Sequence, residues 1–187
     1  ALKVRHPDAE ILFVGAEGKM EMEKVPQAGY RIVGLPVRGL QRGFDMRNFW
    51  LPWRFLQSLI EARSIIKKLK PQVAVGVGGY ASGPLLYVAG LMGLPTLIQE
   101  QNSYAGLTNK WLAKRARRIC VAYPGMERFF PSNKTVLTGN PVRKDILSVD
   151  QKRPYALAHF NLRDGLPTLR GIGGSLGAGT LNRAMRT

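Results

Sequence analysis

The sequence predicts an α/β fold built on a doubly wound parallel sheet, and three observations carry that expectation. Segments patterned as strands alternate with segments patterned as helices over more than a hundred residues, as a parallel βαβ topology requires. Residues 73–98 hold no charged side chain, yet six glycines and two prolines interrupt them. That punctuation excludes a membrane-spanning helix and leaves a buried strand, a glycine loop, a helix and a second strand. The same design returns in miniature at residues 167–185, PTLRGIGGSLGAGTLNRAM. Two Rossmann-like glycine loops in different halves predict two similar domains, with residues 1–143 as the first and residues 144–187 as a linker and the truncated start of the second.

The elements follow in order. Residues 1–5, ALKVR, read as the basic last turn of a helix already under way, stopped by Pro7, because cations favour helix C-termini. With Ala in first place, the start of a longer protein is expected to be missing. Residues 10–14 are expected as a strand closed by Gly15, residues 19–28 as a helix closed by Gly29, and residues 30–37 as the returning strand. RGLQRGFDMR (residues 38–47) is a mostly basic loop leading into NFWLPWRF (residues 48–55). A helix is expected over residues 52–70, where Phe55, Leu59, Ala62, Ile66 and Leu69 make an apolar stripe opposite Gln57, Glu61, Ser64 and Lys68. Phe55 is placed in the core and Pro71 ends the helix.

Residues 73–77 read as a buried strand ending on Gly78-Gly79. Ser82 is expected to N-cap the next helix, with Pro84 in its first turn. Residues 96–98 form a strand, followed by a polar loop over residues 100–109. Ser103 is expected to cap a helix running to Arg115. Residues 118–122 form a strand, residues 125–130 a short helical turn, and residues 135–137 a strand ending at Gly139-Asn140-Pro141. The charged stretch 142–164 carries few strand signals and is expected to cross between domains.

At 45% apolar content the 187 residues can bury a sizeable core. The formal charge of +16 points to nucleic acid, an anionic membrane or phosphorylated small molecules as partners. The single cysteine, Cys120 in an apolar strand, argues for a reducing compartment and against a disulfide framework. His6 and His159 are the only histidines, and no metal cluster or Ser-His-Asp set can be assembled from the sequence.

The chemistry-bearing stretches are the glycine loops and the segment between them. Gly78 and Gly79, like Gly173 and Gly174, can adopt positive φ and let backbone N–H groups approach a phosphate at the positive end of a helix. Neither loop matches GxxxxGK[ST], and the stricter GxGxxG dinucleotide pattern is absent. QEQNSYAGLTN (residues 99–109) packs amides, a carboxylate and hydroxyls against a strand end. Such groups can read the hydroxyls of a sugar, or can simply cap a helix and satisfy local backbone. Arg143 stands open between a diphosphate or uridine contact and one of many surface arginines.

GVGGYASGP (residues 76–84), QEQNSYAGLTNKWLAK (residues 99–114), GNPVR (residues 139–143) and GGSLGA (residues 173–178) resemble, in order and approximate spacing, motifs of the MurG family of bacterial cell-wall N-acetylglucosaminyltransferases, glycosyltransferase family 28. The resemblance covers nearly the whole chain. It implies a GT-B fold, two Rossmann-like domains with the active site in their cleft, here with the first domain incomplete at its start and the second mostly missing. It implies transfer of N-acetylglucosamine from UDP-GlcNAc, with inversion, to the C4 hydroxyl of MurNAc in undecaprenyl-pyrophosphoryl-MurNAc-pentapeptide (lipid I), giving lipid II, with no metal or other cofactor needed.

Carried over by motif, Asn102, Arg143 and Ser175 resemble UDP-GlcNAc contacts. Gly78, Gly79, Tyr80 and Ser82 resemble the acceptor diphosphate loop, and Glu100 and Asn109 line the same cleft. No catalytic base is assigned. The departures are a missing GGTGGH-type first loop, Gln99 where many members have His, Arg170 and Gly171 in a strand expected to be apolar, and Gly179 in place of a common Arg. The chain is therefore expected to be a catalytically incomplete piece of the enzyme.

A polyprenyl-linked acceptor implies work at the cytoplasmic face of the bacterial plasma membrane, as a peripheral protein. Phe44, Trp50 and Trp53 among Arg42 and Arg54 have the composition of an interfacial anchor for anionic lipid. The alternatives are another GT-B transferase and a basic nucleic-acid-binding protein. The second lacks any recognised module, and its basic residues form no single tract, so nucleic acid is not an expected partner.

Overall fold

The computed structural model describes residues 2–37, 51–142, 152–168 and 178–184, and the chain divides into two compact units, Ala1–Asn140 and Pro141–Thr187. Among the described residues six strands lie in the first unit, and every pairing between them is parallel. β1 (Leu12–Ala16) pairs with β2 (Arg31–Leu35), joined by helix α2 (Glu21–Gln27). β3 (Ala74–Gly76), β4 (Thr96–Glu100), β5 (Arg118–Val121) and β6 (Thr135–Leu137) form a four-stranded sheet in that order. Helix α1 (Leu2–Arg5) precedes β1, and the unit's other helices are α3 (Leu51–Leu69), α4 (Ser82–Leu91) and α5 (Leu107–Leu112). Parallel pairing throughout is the expected α/β architecture, because each strand returns to the same edge only after a crossover.

The core sits where α4 and α5 cover the centre of the larger sheet. Leu86, Ile98, Leu112, Ile119, Val121, Met126 and Phe130 bury there, and Ala62, Ile66, Val88 and Ala89 form a second cluster between α3 and α4. Each large aliphatic side chain so buried contributes about 1.5–3 kcal/mol. Gly76, at the end of β3, makes the closest approach: a Cβ there would stand 2.6 Å from Leu86 Cδ2. The missing side chain lets α4 lie directly on the strand end, and α4 in turn carries the glycine loop that precedes it.

Several elements differ from expectation for identifiable reasons. β1 runs to Ala16 and takes Gly15 inside it, because Glu21 of α2 folds over the strand end and accepts the Ala16 N–H at 3.2 Å. α3 buries Ser58, Ala62 and Ile66, while Phe55 is 42% exposed and therefore not a core residue. Ser58 takes that place because its hydroxyl donates to the Phe55 carbonyl one turn back, at 2.6 Å, so its polar atom is satisfied without water. β3 is not buried on both faces. Ala74 packs inward, and Val73, Val75 and Val77 alternate onto an exposed face with β4 as their strand's only partner among the described residues.

The second unit contains helix α6 (Arg153–His159), a surface ion pair between Arg153 and Asp164 at 2.8 Å, and helix α7 (Gly179–Ala184). Asp164 titrates below its ordinary range because Arg153 and the Gly165 N–H donate to it. Among the described residues no helix is long and apolar enough to cross a membrane.

Candidate functional site

A cavity of about 300 Å³ opens at the carboxyl ends of β3 and β4, the edge at which open parallel sheets hold their ligands. Its wall on one side is the loop after β3, with Val77, Gly78, Gly79 and Tyr80; on the other it is residues 99–102 and 106–109. Gly78 and Gly79 stand at φ +90° and +82°, a left-handed conformation that a side chain would strain. These consecutive positive φ values turn the chain from β3 toward α4.

Ser82 departs from its expected role. It is the first residue of α4, not its N-cap, and its nearly buried hydroxyl donates back to the Gly78 carbonyl. It braces the glycine loop from behind; of the four residues expected to form the diphosphate loop, Gly78, Gly79 and Tyr80 line the cavity and Ser82 does not.

Glu100 is the most constrained polar group of the site. It is the last residue of β4, not the first of a loop, and is 2% exposed. Its Oε1 accepts the Asn102 backbone N–H (3.0 Å) and Nδ2 (3.1 Å); its Oε2 accepts the Gly106 N–H (2.9 Å) and Asn109 Nδ2 (2.9 Å). Burial alone would raise its pKa, but the four donors together outweigh burial and hold the carboxyl below its ordinary value. Both oxygens are thus committed to the loop. Glu100 is a structural anion, and no lone pair is left for accepting a substrate proton.

This carboxylate also explains why the helix expected from Ser103 begins later. Backbone N–H groups of residues 102 and 106 find their acceptor in Glu100, so residues 101–106 form a loop, Gly106 is the extended N-cap, and α5 starts at Leu107. Asn109, in the first turn of α5 and 5% exposed, reaches back to Glu100 and leaves its Oδ1 buried without a partner among the described residues. Asn102, by contrast, is exposed at the mouth.

Two further ties were not foreseen. Gln99 Nε2 donates to the Gly139 carbonyl at 3.2 Å, and Asn140 Nδ2 donates to the Gln101 carbonyl at 3.1 Å. They bind the Gly139-Asn140 turn, with Gly139 at φ +72°, to the loop after β4. Arg143, the glycine loop of residues 173–177 with Ser175, Arg170 and Gly171 lie outside the described residues, as do Arg42, Phe44 and Trp50. Among the described residues no group of acidic, histidine or cysteine side chains is placed to hold a metal.

The expected anchor is described in part. Trp53 is 64% exposed, and Leu56 and Ile60, at helical spacing from it, are exposed on the same outer face of α3 with Arg63 and Lys67. Beside this helix the Tyr87 and Trp111 rings stack at 4.7 Å, with Phe55 6.5 Å from Trp111 and the Arg115 guanidinium 5.6 Å from Tyr87. The sequence reading named Trp53 and Arg54; it missed Leu56, Ile60 and Trp111, whose spacing looks like core until the packing partners are known.

A parallel α/β sheet with a glycine-turned, polar cavity at its carboxyl edge defines a Rossmann-like α/β protein. The chain belongs to glycosyltransferase family 28: that family's N-terminal domain matches residues 1–121. It is 57% identical over 185 residues to the UDP-N-acetylglucosamine--N-acetylmuramyl-(pentapeptide) pyrophosphoryl-undecaprenol N-acetylglucosamine transferase of Bacteroides fragilis, covering 99% of this chain and 49% of that protein. It is 59% identical over 184 residues to the enzyme of the same name from Parabacteroides distasonis, covering 98% and 50%. The chain thus spans about half the length of the curated relatives it matches. Among solved structures, Acinetobacter baumannii MurG superposes with a TM-score of 0.60 at 29% identity, over 76% of this chain and 40% of that one. A glycosyltransferase from Rickettsia africae, at TM-score 0.57 and 10% identity, shares the fold.

Proposed function

We propose that this chain is part of an inverting N-acetylglucosaminyltransferase that moves GlcNAc from UDP-GlcNAc to the C4 hydroxyl of MurNAc in undecaprenyl-pyrophosphoryl-MurNAc-pentapeptide, the step that makes lipid II. The observation that carries this reading is the cavity itself: a left-handed diglycine turn and a row of side-chain amides face each other across the carboxyl edge of the sheet, in a chain whose relatives bear that enzyme's name. On this reading residues 1–143 form the acceptor and membrane-side domain, and residues 144–187 the linker and start of the donor-nucleotide domain.

In an inverting displacement the acceptor oxygen attacks the sugar's anomeric carbon as the bond to UDP breaks, and a base takes the hydroxyl proton. The backbone around Gly78, Gly79 and Tyr80 receives the acceptor's diphosphate. Asn102 contacts the donor sugar, and Arg143 and Ser175 the donor diphosphate, where positive charge and N–H groups stabilise departing UDP without a metal. Glu100 and Asn109 hold the cavity's shape, and the base is a residue other than Glu100. The outer face of α3, with Trp53 and its basic neighbours, meets the anionic cytoplasmic leaflet that carries the acceptor.

The test is residue-resolved binding. Titration of a short-chain polyprenyl-pyrophosphoryl-MurNAc-pentapeptide into the isotope-labelled chain is expected to shift the amide resonances of Gly78, Gly79 and Tyr80, and UDP-GlcNAc is expected to shift those of Asn102. A chain that leaves all four resonances unmoved by either ligand overturns the proposal.

A further inference from the structure

The four bonds to Glu100 have a chemical consequence beyond holding a loop. An ionised carboxylate accepts hydrogen bonds and cannot donate them. Asn102 and Asn109 each turn their amide nitrogen toward it, at 3.1 and 2.9 Å. Turning either amide over would set its oxygen against a carboxylate oxygen, with no proton between them. Among the described residues Glu100 forms no ion pair with a cation, so these N–H groups alone support its charge and neither amide is free to rotate. Both carbonyl oxygens consequently point away from Glu100. That of Asn109 is buried and, among the described residues, has no donor; that of Asn102 belongs to an exposed residue; and both residues line the same cavity. Asn102, the exposed one of the pair, is the residue whose carbonyl a ligand donor can reach.

We propose that Glu100 is a positioning residue that holds the Asn102 and Asn109 amides with their nitrogens toward its carboxylate, so that Asn102 meets the ligand with its carbonyl as an acceptor and selects a sugar for its hydroxyl or N–H donors. The ligand half of this proposal rests on the UDP-GlcNAc reading above; the amide half stands on the free protein. Glu100 touches no substrate. Its effect on specificity passes through Asn102, which separates it from a base and from a carboxylate that only shapes the loop.

The amide half is read first, in the wild-type chain without ligand, from solvent exchange of the Asn102 and Asn109 side-chain NH2 protons. Slow exchange at both is expected; exchange at Asn102 as fast as in an unfolded peptide overturns the proposal. The ligand half compares the affinity of UDP-GlcNAc with that of its 3-, 4- and 6-deoxyfluoro sugar analogues, in which fluorine replaces a hydroxyl and cannot donate. The wild type is expected to bind at least one analogue about tenfold more weakly, the size of one lost hydrogen bond. In Glu100→Gln the new amide can itself donate, Asn102 can turn over, and the affinity ratio is expected to fall toward one.

Asn102→Ala, at an exposed position, gives the same collapse of the ratio if Glu100→Gln does not fold. Equal wild-type affinity for all four nucleotides overturns the proposal, and so does a Glu100→Gln variant that weakens all four equally and keeps the ratio. A folded wild type that binds no UDP-GlcNAc overturns the proposed function instead, and the NH2 exchange still decides the orientation of the amides.

Discussion

At the end of β4 a negative charge is kept almost entirely from water with no ion-pair partner among the described residues, and its neighbours' N–H groups lower its pKa against the effect of burial. The folded-state pKa of Glu100 lies below the ordinary value of 4.5 because those donors outweigh burial. Its ionised form therefore stabilises the fold fully above about pH 4.5, and that contribution is lost as pH falls through the lowered folded value. Urea unfolding of the wild type and Glu100→Gln across pH 3–7 checks this. The variant is expected to be less stable by about 1–3 kcal/mol at pH 7, with the gap narrowing below pH 4.5. A gap that stays constant over the whole range would contradict the assignment. The types and order of residues 99–109 marked this stretch as polar at a strand end from the sequence alone, and Gly78, Gly79, Tyr80, Glu100, Asn102 and Asn109 line one cavity. The partners were not legible. Whether a glutamate at a strand end faces substrate or its own loop depends on a three-dimensional closure of six and nine residues, which no local pattern encodes.

Elements follow the same division. Periodicity located all six strands and the major helices, because alternation and 3.6-residue spacing are local properties. It misjudged ends and faces wherever a long-range contact intervened: α5 starts at Leu107 because Glu100 captures the preceding N–H groups, and α3 turns Ser58 inward and leaves Phe55 beside Trp111. Gly76 is a packing constraint that the strand pattern over residues 73–77 did not mark, since it ends β3 and admits the Leu86 side chain of α4 at a distance no Cβ tolerates. Gly76→Ala must shift the buried Leu86 side chain and so disturb the packing of α4 on the strand end. We expect a loss of about 1–3 kcal/mol, the usual cost of overpacking, in thermal or urea unfolding. Pairing the substitution with Leu86→Ala, which vacates the space, should cost less than the sum of the two single changes. Strict additivity would show that the contact is not what holds the glycine.

For the molecule as a whole, a charge of +16 acquires meaning from what surrounds it. On the outer face of α3, Trp53 and Ile60 are each 64% exposed, with Leu56 between them and Arg63 and Lys67 on the same side. Exposed aromatic and aliphatic groups framed by cations suit the boundary between lipid headgroups and acyl chains. Each basic residue near an anionic surface contributes about 1 kcal/mol, and each large apolar side chain taken from water up to about 1.5–3 kcal/mol. The two contributions separate experimentally, because salt screens only the first. Co-sedimentation with vesicles rich in anionic lipid is expected to show tight binding by the wild type. Arg63→Ser with Lys67→Ser should weaken it about tenfold or more at low salt, a difference that shrinks as salt is raised. Trp53→Ser with Ile60→Ser is expected to weaken binding at every salt concentration without loss of fold, since both side chains already face water. Unchanged binding by the Trp53 and Ile60 variant would remove the apolar face from the membrane contact and leave the attraction purely electrostatic.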